Sequence, residues 1–147
     1  MSTVFEKIIS GDWPGRFVWT DEVCVALMTI EPVSPGHVLV IPRHPWEKWS
    51  DCPQEILTHL THVAQKIGSA QERAFEVSRS AVVIAGFEVP HTHIHVIPAR
   101  SEADCLLNNA QSAPAEEIEA AAIHLRDQLI HDGYEAYVPP RLESAAS

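Results

Sequence analysis

The chain has 147 residues, a formal net charge of −10 and a hydrophobic fraction of 46%. This length predicts one domain, and the apolar content is sufficient for a buried core, which speaks against a largely disordered chain. The acidic balance excludes a nucleic-acid binder that works through a basic surface, and no apolar run approaches the ~20 residues of a membrane span. Nine histidines, against ten Lys and Arg together, are the unusual feature.

The N-terminal residues and the cysteines predict a cytoplasmic protein. The first twelve residues include acidic side chains and no long apolar stretch, unlike a signal peptide. Cys24, Cys52 and Cys105 are far apart and form no C-x-x-C pair. We therefore expect three reduced, structural thiols, with neither a disulfide framework nor a thiolate zinc site.

Short apolar runs and turn signals alternate in the first forty residues. A helix is predicted ahead of Gly11, which suits a helix C-cap. Three β-prone runs follow, and Pro32, Pro35 and Gly36 favour a loop between the last two. The predicted elements are a helix at 4–9 and strands at 17–20, 23–28 and 37–41.

A long amphipathic helix is predicted next. Asp51 is a candidate N-cap, with Pro53 in the first turn and Gln54 at the position that reaches back to the cap. Apolar residues then recur at helical spacing at 56, 57, 60, 63, 64 and 67. The histidines on this and the later helix, His59, His62, His124 and His131, are assigned no chemistry.

Two more strands and a second helix complete the prediction. The strands are expected at 81–85 and 91–97. The helix begins after Pro114 and ends at Gly133, and one apolar stripe holds Ile118, Ala122, Leu125 and Leu129.

The order of these elements predicts an α+β domain. Strands within each group are joined by short connections, which favours an antiparallel sheet with helices packed on it. We expect a core at 1–110, a C-terminal helix region at 111–137 and a flexible tail at 138–147, which is rich in Pro, Ala and Ser.

Three histidines alternate with other residues in the segment 91–97. Because strand side chains have a period of two, His91, His93 and His95 are expected on one face, ~6.6 Å apart along the strand. Ile94 and Val96 would point into the core on the other face. The segment therefore predicts a row of imidazoles on a packed strand.

Such a row has three interpretations. It could be a set of surface histidines, although exposed strand faces usually carry other residues. It could bind a metal ion, since imidazoles at i and i+2 can converge, but beside the motif only Glu88 could add a carboxylate ligand. The favoured interpretation is nucleophilic catalysis at phosphorus, because an imidazole is largely unprotonated near neutral pH and neighbouring imidazoles can bind phosphoryl oxygens.

The residues from His91 to Pro98 (HTHIHVIP) resemble the H-φ-H-φ-H-φ-φ signature of the histidine-triad (HIT) family, with Thr92 at the first φ. Three further blocks are similar to the family in order and spacing, at 5–11, 30–42 and 85–91. The similarity covers roughly residues 3–100 and is greatest to the Hint-like branch, in a bacterial subgroup.

This resemblance implies a HIT-like fold with a five-stranded antiparallel sheet, and a homodimer in which two sheets form one continuous surface. It implies hydrolysis or transfer of a nucleoside monophosphate moiety from a phosphoramidate, ester or anhydride through a nucleotidyl-histidine. His93 would be the nucleophile, His95 would bind the phosphoryl group and assist the leaving group, and His91 and His37 would orient the site. A nucleotide-binding regulatory dimer with little turnover, or a metal-dependent hydrolase, are the alternatives.

The resemblance also implies nucleotide-binding positions and some departures. Thr29 stands where many members have Asp, and Ser80 where many have Asn; Glu88 places a carboxylate where the phosphate is expected. Thr3 and Glu6 replace a C-x-x-C that holds zinc in some relatives, so neither a metal nor another cofactor is expected. The implied positions are Ile9, Leu27, Thr29, Ile30, Ser80, Gly86, Phe87 and Glu88.

Overall fold

The computed structural model describes residues 2–147 and contains five strands and three α-helices within that range. The strands are β1 (Phe17–Thr20), β2 (Cys24–Met28), β3 (Val38–Pro42), β4 (Arg79–Val83) and β5 (Ile94–Ala99). The helices are α1 (Val4–Ser10), α2 (Gln54–Ala74) and α3 (Ala115–His131). Short 3-10 helices lie at Trp49–Asp51, Glu102–Cys105, Leu107–Asn109 and Glu135–Tyr137. None of the helices in this range is both long and apolar enough to span a membrane.

The strands form one sheet in the order β1-β2-β3-β5-β4, and every neighbouring pair is antiparallel. α2 and β4 lie between β3 and β5 in the chain, so these two neighbouring strands come from distant parts of the sequence. The predicted α+β fold with a five-stranded antiparallel sheet is confirmed.

Both faces of the sheet are covered. α2 and α3 lie on one face, and their buried side chains include Leu60, Ile67, Leu125 and Leu129. The stripe predicted on α3 is buried at all four positions. On the other face, Phe5 of α1 packs in a second apolar cluster with β1, β2 and β3. Strands covered on both sides read as continuous apolar runs rather than alternating ones, as in β2 and β3.

α2 lies close to the sheet because Gly68 faces it. A Cβ at Gly68 would stand 3.3 Å from the Ser80 Cβ atom. One turn later the buried Gln71 side chain donates to the carbonyl oxygens of Gly36 and Val96, both at 2.9 Å. A single amide therefore ties α2 to β5 and to the start of β3, beside His37.

The C-terminal segment lies against the outer edge of β1. The Phe17 N–H donates to the Leu142 carbonyl at 2.7 Å, and the Thr20 hydroxyl donates to the Ala145 carbonyl at 2.6 Å. Ala145 is buried in the α1-side cluster. The segment predicted as a flexible tail thus covers one edge of the sheet.

Two local predictions are wrong. α2 begins at Gln54 with Pro53 as its cap residue and no side-chain cap, because Asp51 belongs to the preceding 3-10 helix. The strand expected at 81–85 lies at Arg79–Val83, and it is only partly buried because it is the sheet edge, with β5 as its one neighbour.

Candidate active site

His95 is the triad histidine that the sheet itself positions. It lies on β5 opposite Leu39 of β3 and Val83 of β4, and Leu39 in turn lies opposite Leu27 of β2. These side chains form a row across the face that α1 covers. His95 thus projects from the sheet beside an apolar surface.

His91 and His93 precede the strand, so the prediction of one strand over 91–97 is wrong in its first half. β5 begins at Ile94. The Thr92 N–H and hydroxyl both donate to the Trp46 carbonyl, at 2.7 and 2.8 Å, which holds this segment against the β3–α2 connection instead of a strand. The three histidines therefore have three different environments.

His91 is fully buried and connects two elements. Its Nε2 lies 2.7 Å from the Pro42 carbonyl oxygen, which can only accept, so Nε2 carries the proton. Its Nδ1 lies 2.7 Å from the hydroxyl of Thr3, the cap residue of α1. His91 thereby joins the start of α1 to the end of β3, and burial lowers its pKa.

His93 presents an unprotonated nitrogen. Its Nδ1 donates to the His91 carbonyl at 2.8 Å, which leaves the lone pair on Nε2. The ring lies edge-on to Phe5 and to His95, at centroid distances of 4.9 and 5.0 Å, and is 6% exposed. Burial lowers the pKa of His93, and the bond to His91 and the charge of Glu88 partly offset this. His93 is therefore neutral near pH 7, with its lone pair on Nε2.

His37 sets the tautomer of His95. The Val33 N–H donates to His37 Nδ1 at 3.0 Å, so the proton of a neutral His37 is on Nε2. His37 Nε2 lies 2.9 Å from His95 Nδ1, which must accept, so His95 carries its own proton on Nε2. Burial and the neighbouring histidines lower the pKa of His37 to about 3, and burial and His93 lower that of His95 to about 4.

The apolar positions expected in the nucleotide pocket lie beside the histidines. Leu27 is 3% exposed and belongs to the same row as His95. Ile9 packs against the cluster that contains Leu27 and Phe5, the residue that touches His93. These residues form an apolar floor next to His93.

Thr29 and Ile30 lie at the end of β2, next to His37. The Thr29 N–H donates to the His37 carbonyl at 3.3 Å, and its hydroxyl accepts from the Glu31 N–H at 3.2 Å. Ile30 is 66% exposed. Both residues are therefore accessible to a ligand that extends from the histidines along this loop.

Ser80 lies on the opposite face of the sheet, so its expected role in nucleotide binding is contradicted. It pairs with Pro98, three residues from His95, and odd separations along a strand point to opposite faces. Its hydroxyl lies 3.0 Å from the Gly68 carbonyl and 2.8 Å from Gln71 Oε1. Ser80 stabilises the contact of α2 with β4 instead.

The bend before His91 holds the last three expected positions. Gly86 has a φ of +85°, a left-handed conformation that favours glycine. Phe87 is 97% exposed, and Glu88 is exposed as well. Glu88 lies close enough to His93 for its charge to raise the pKa of that histidine.

Three residues with a part in the site were not predicted. Thr3, the cap residue of α1, contacts His91, and Phe5 of α1 contacts His93. The Val33 backbone N–H fixes the His37 tautomer. Phe5 is visible in the sequence only as an apolar helix residue. The role of Val33 belongs to its N–H and has no sequence signal.

The fold and the site define a class of protein. Its members have an antiparallel sheet that carries a cluster of neutral histidines, one of which, His93 here, has an unprotonated Nε2. A family model described as the HIT domain matches residues 10–102, which is more than half of the chain. The chain belongs to the HIT family.

Its relatives include proteins with named activities. Adenosine 5'-monophosphoramidase HNT1 of Saccharomyces cerevisiae is 32% identical over 105 residues, which cover 71% of this chain and 66% of the yeast protein. Adenylylsulfatase HINT3 of Arabidopsis thaliana is 32% identical over 108 residues, covering 70% of this chain and 54% of the plant protein. These names support a nucleotide hydrolase in general terms.

A solved structure has the same fold. The structure of a zinc-bound histidine triad family protein from Mycobacterium smegmatis superposes with a TM-score of 0.79 at 28% identity, covering 92% of this chain and 98% of that one.

Proposed function

We propose that this protein cleaves a nucleoside monophosphate conjugate, a phosphoramidate or a phosphoester or anhydride, through a nucleotidyl-His93 intermediate. The observation that carries the proposal is the bond from His93 Nδ1 to the His91 carbonyl. It leaves Nε2 unprotonated and fixes the ring at the edge of the apolar floor. A buried neutral imidazole held in this way is suited to attack phosphorus.

The reaction has two halves. The Nε2 lone pair of His93 forms a bond to phosphorus as the bond to the leaving group breaks, and the leaving group departs with that bonding pair and is protonated. Water then attacks phosphorus, loses a proton and releases His93, so one water is consumed overall. His95 offers the N–H on Nε2, the nitrogen turned away from His37, to a phosphoryl oxygen or the leaving atom.

We propose a nucleotide substrate with a purine base. The apolar floor receives the base, and the loop after β2 lies where ribose hydroxyls could bond to Thr29. In this arrangement the phosphate of the substrate lies next to the bend before His91. The proposed binding positions are Ile9, Leu27, Thr29, Ile30, Gly86, Phe87 and Glu88.

We place the chain in the Hint-like branch, bacterial subgroup, and propose a homodimer that joins two sheets. Of the two sheet edges, β1 is covered by the C-terminal segment, while β4 has a neighbour only in β5. β4 is therefore the edge available for a second copy. The cytoplasmic location stays a prediction.

Turnover of adenosine phosphoramidate tests the reaction. We expect AMP release and an adenylylated protein by mass spectrometry, and loss of both in His93→Asn. His62→Asn is the matched control, because His62 is exposed on α2, away from the site. Turnover that survives His93→Asn would contradict the nucleophile.

Two other outcomes separate the alternatives. Tight AMP binding without turnover of any nucleotidyl substrate would indicate a regulatory dimer. Loss of activity with a chelator and its return with metal would indicate a metal-dependent hydrolase.

A further inference from the structure

A second group of reactive side chains lies where the β1–β2 turn meets α2. Asp21 is in the turn, Cys24 is the first residue of β2 and His59 is on α2. One carboxylate oxygen, the sulfur and one imidazole nitrogen all lie within 4.8 Å of one another. Three different elements bring these residues together, on the face of the sheet opposite the triad, as the place of Cys24 in the α2-side core shows.

The separations from Asp21 Oδ2 are close to those of a tetrahedral zinc site. Ligand atoms ~2.0–2.3 Å from a tetrahedral zinc ion are ~3.4–3.6 Å apart. Cys24 Sγ lies 3.7 Å from Asp21 Oδ2, which already fits. His59 Nε2 lies 2.7 Å from the same oxygen and must move back by less than an ångström. The His59 side chain is 40% exposed, so it has room for that movement.

The carboxylate of Asp21 is held in place by the surrounding chain. Its Oδ1 accepts from the backbone N–H groups of Val23 and Cys24, both at 2.8 Å. The Trp19 indole N–H donates to Oδ2 at 2.9 Å. Such bonds orient the ligands of metal sites from outside the coordination sphere.

A neighbouring cationic side chain, that of Arg43, bonds to atoms other than the Asp21 carboxylate. The Arg43 guanidinium donates to the Asp21 backbone carbonyl at 2.9 Å and to the Thr20 hydroxyl at 2.8 Å. The acceptor Oδ2 of Asp21 is thus left to His59, Trp19 and Cys24.

The chemistry of these ligands selects the class of ion. Sulfur and imidazole nitrogen favour zinc and similar ions over Mg²⁺ and Ca²⁺, which prefer oxygen. A thiolate and a carboxylate together carry two negative charges, which a divalent cation balances in this mostly buried position. The His59 side chain is 40% exposed and that of Asp21 10%, so water can supply a fourth ligand.

We propose that Asp21, Cys24 and His59 bind a zinc-type divalent cation that links the β1–β2 turn to α2. On binding, the sulfur–metal bond replaces the S–H bond of Cys24, and that proton goes to solvent. The Nε2 proton that His59 donates to Asp21 Oδ2 moves to Nδ1 by exchange with solvent, so that the Nε2 lone pair binds the metal. Because the ion binds the folded chain, it stabilises the protein.

Metal titration of the full chain tests this site. After dialysis against a chelator, we expect one Zn²⁺ per chain by calorimetry and a higher Tm with Zn²⁺. His59→Asn should lose at least about tenfold in affinity and the rise in Tm. His62→Asn, an exposed histidine on the same helix, should keep both.

Cobalt identifies the sulfur ligand. Co²⁺ should produce a thiolate charge-transfer band that persists in Cys52→Ser, since Cys52 is a buried cysteine outside the cluster, and disappears in Cys24→Ser. Zn²⁺ binding that His59→Asn leaves unchanged, or a cobalt spectrum without the thiolate band, would overturn the proposal and indicate binding elsewhere, such as the catalytic histidines. A Tm that Zn²⁺ does not change would overturn it too.

Discussion

At the scale of single residues, the second hydrogen bond of each histidine decides what that histidine can do. The His91 carbonyl accepts a hydrogen bond from the Nδ1–H of His93, and the Val33 N–H donates to Nδ1 of His37. As a result His93 offers a lone pair, whereas His95 offers an N–H. Identical side chains thus present an unprotonated nitrogen at one position and an N–H at the other.

The pH dependence of catalysis follows from these environments. Because burial lowers the pKa of His93 below its ordinary value near 6.5, its Nε2 stays unprotonated in mildly acidic solution. We expect the acid limb of kcat/KM, measured with adenosine phosphoramidate, to lie below pH 6.5. An acid limb at or above pH 6.5 would contradict the buried neutral nucleophile.

Variants at Glu88 and Glu47 form a matched pair for measuring the acid limb. Its negative charge raises the pKa of His93, so Glu88→Gln should move the acid limb to lower pH. Glu47→Gln, which removes another exposed carboxylate, should leave the limb in place.

At the scale of elements, α2 fixes the position of the loop before β3, which carries His37. The Gln71 amide bonds to the Gly36 carbonyl, and Gly36 immediately precedes His37. Gly36 has a φ of +95°, and a Cβ there would clash with the Phe75 ring. Backbone conformation and close packing therefore both require glycine at this position.

Two glycine substitutions separate these causes. Gly36→Ala should lower the free energy of unfolding by ~2–3 kcal/mol, because it combines a left-handed φ with a steric clash. Gly11→Ala should cost only ~1 kcal/mol, since Gly11 has a φ of +92° but no atom within 4 Å of a Cβ. Denaturant unfolding measures both values, and equal losses would show that the Phe75 ring moves aside without cost.

At the scale of the whole molecule, the two edges of the sheet differ. The C-terminal segment bonds along β1, and the Arg126 guanidinium donates to the Phe17 carbonyl at 2.7 Å. β4 has no such cover among the described residues, and Val82 on it is 55% exposed. An open strand edge of this kind favours pairing with another strand.

The oligomeric state in solution tests whether the open edge at β4 pairs with a second copy. Light scattering should give twice the mass of one chain, and Val82→Lys should shift the protein toward monomer because a charge at the edge opposes pairing. Ile123→Lys places the same charge on α3, where Ile123 is 52% exposed, and should leave the dimer intact. A wild-type monomer at micromolar concentration would refute pairing through β4.

The sequence by itself determined the features that repeat locally. Apolar periodicity predicted the buried stripe of α3, and β-prone runs with short connections predicted the antiparallel sheet. The spacing of His91, His93 and His95 predicted one strand with all three histidines, although the strand begins only at Ile94. These features depend on neighbours within a few residues of one another in the chain.

Only the tertiary structure determined which face of the sheet a side chain lies on and which residues distant in sequence contact each other. Strand register placed Ser80 on the face opposite His95. The proton of each imidazole was set by a carbonyl or N–H that no sequence pattern reveals, such as that of Val33. Asp21 and His59 meet across 38 positions of sequence because α2 packs over the β1–β2 turn, and only folding makes such a contact.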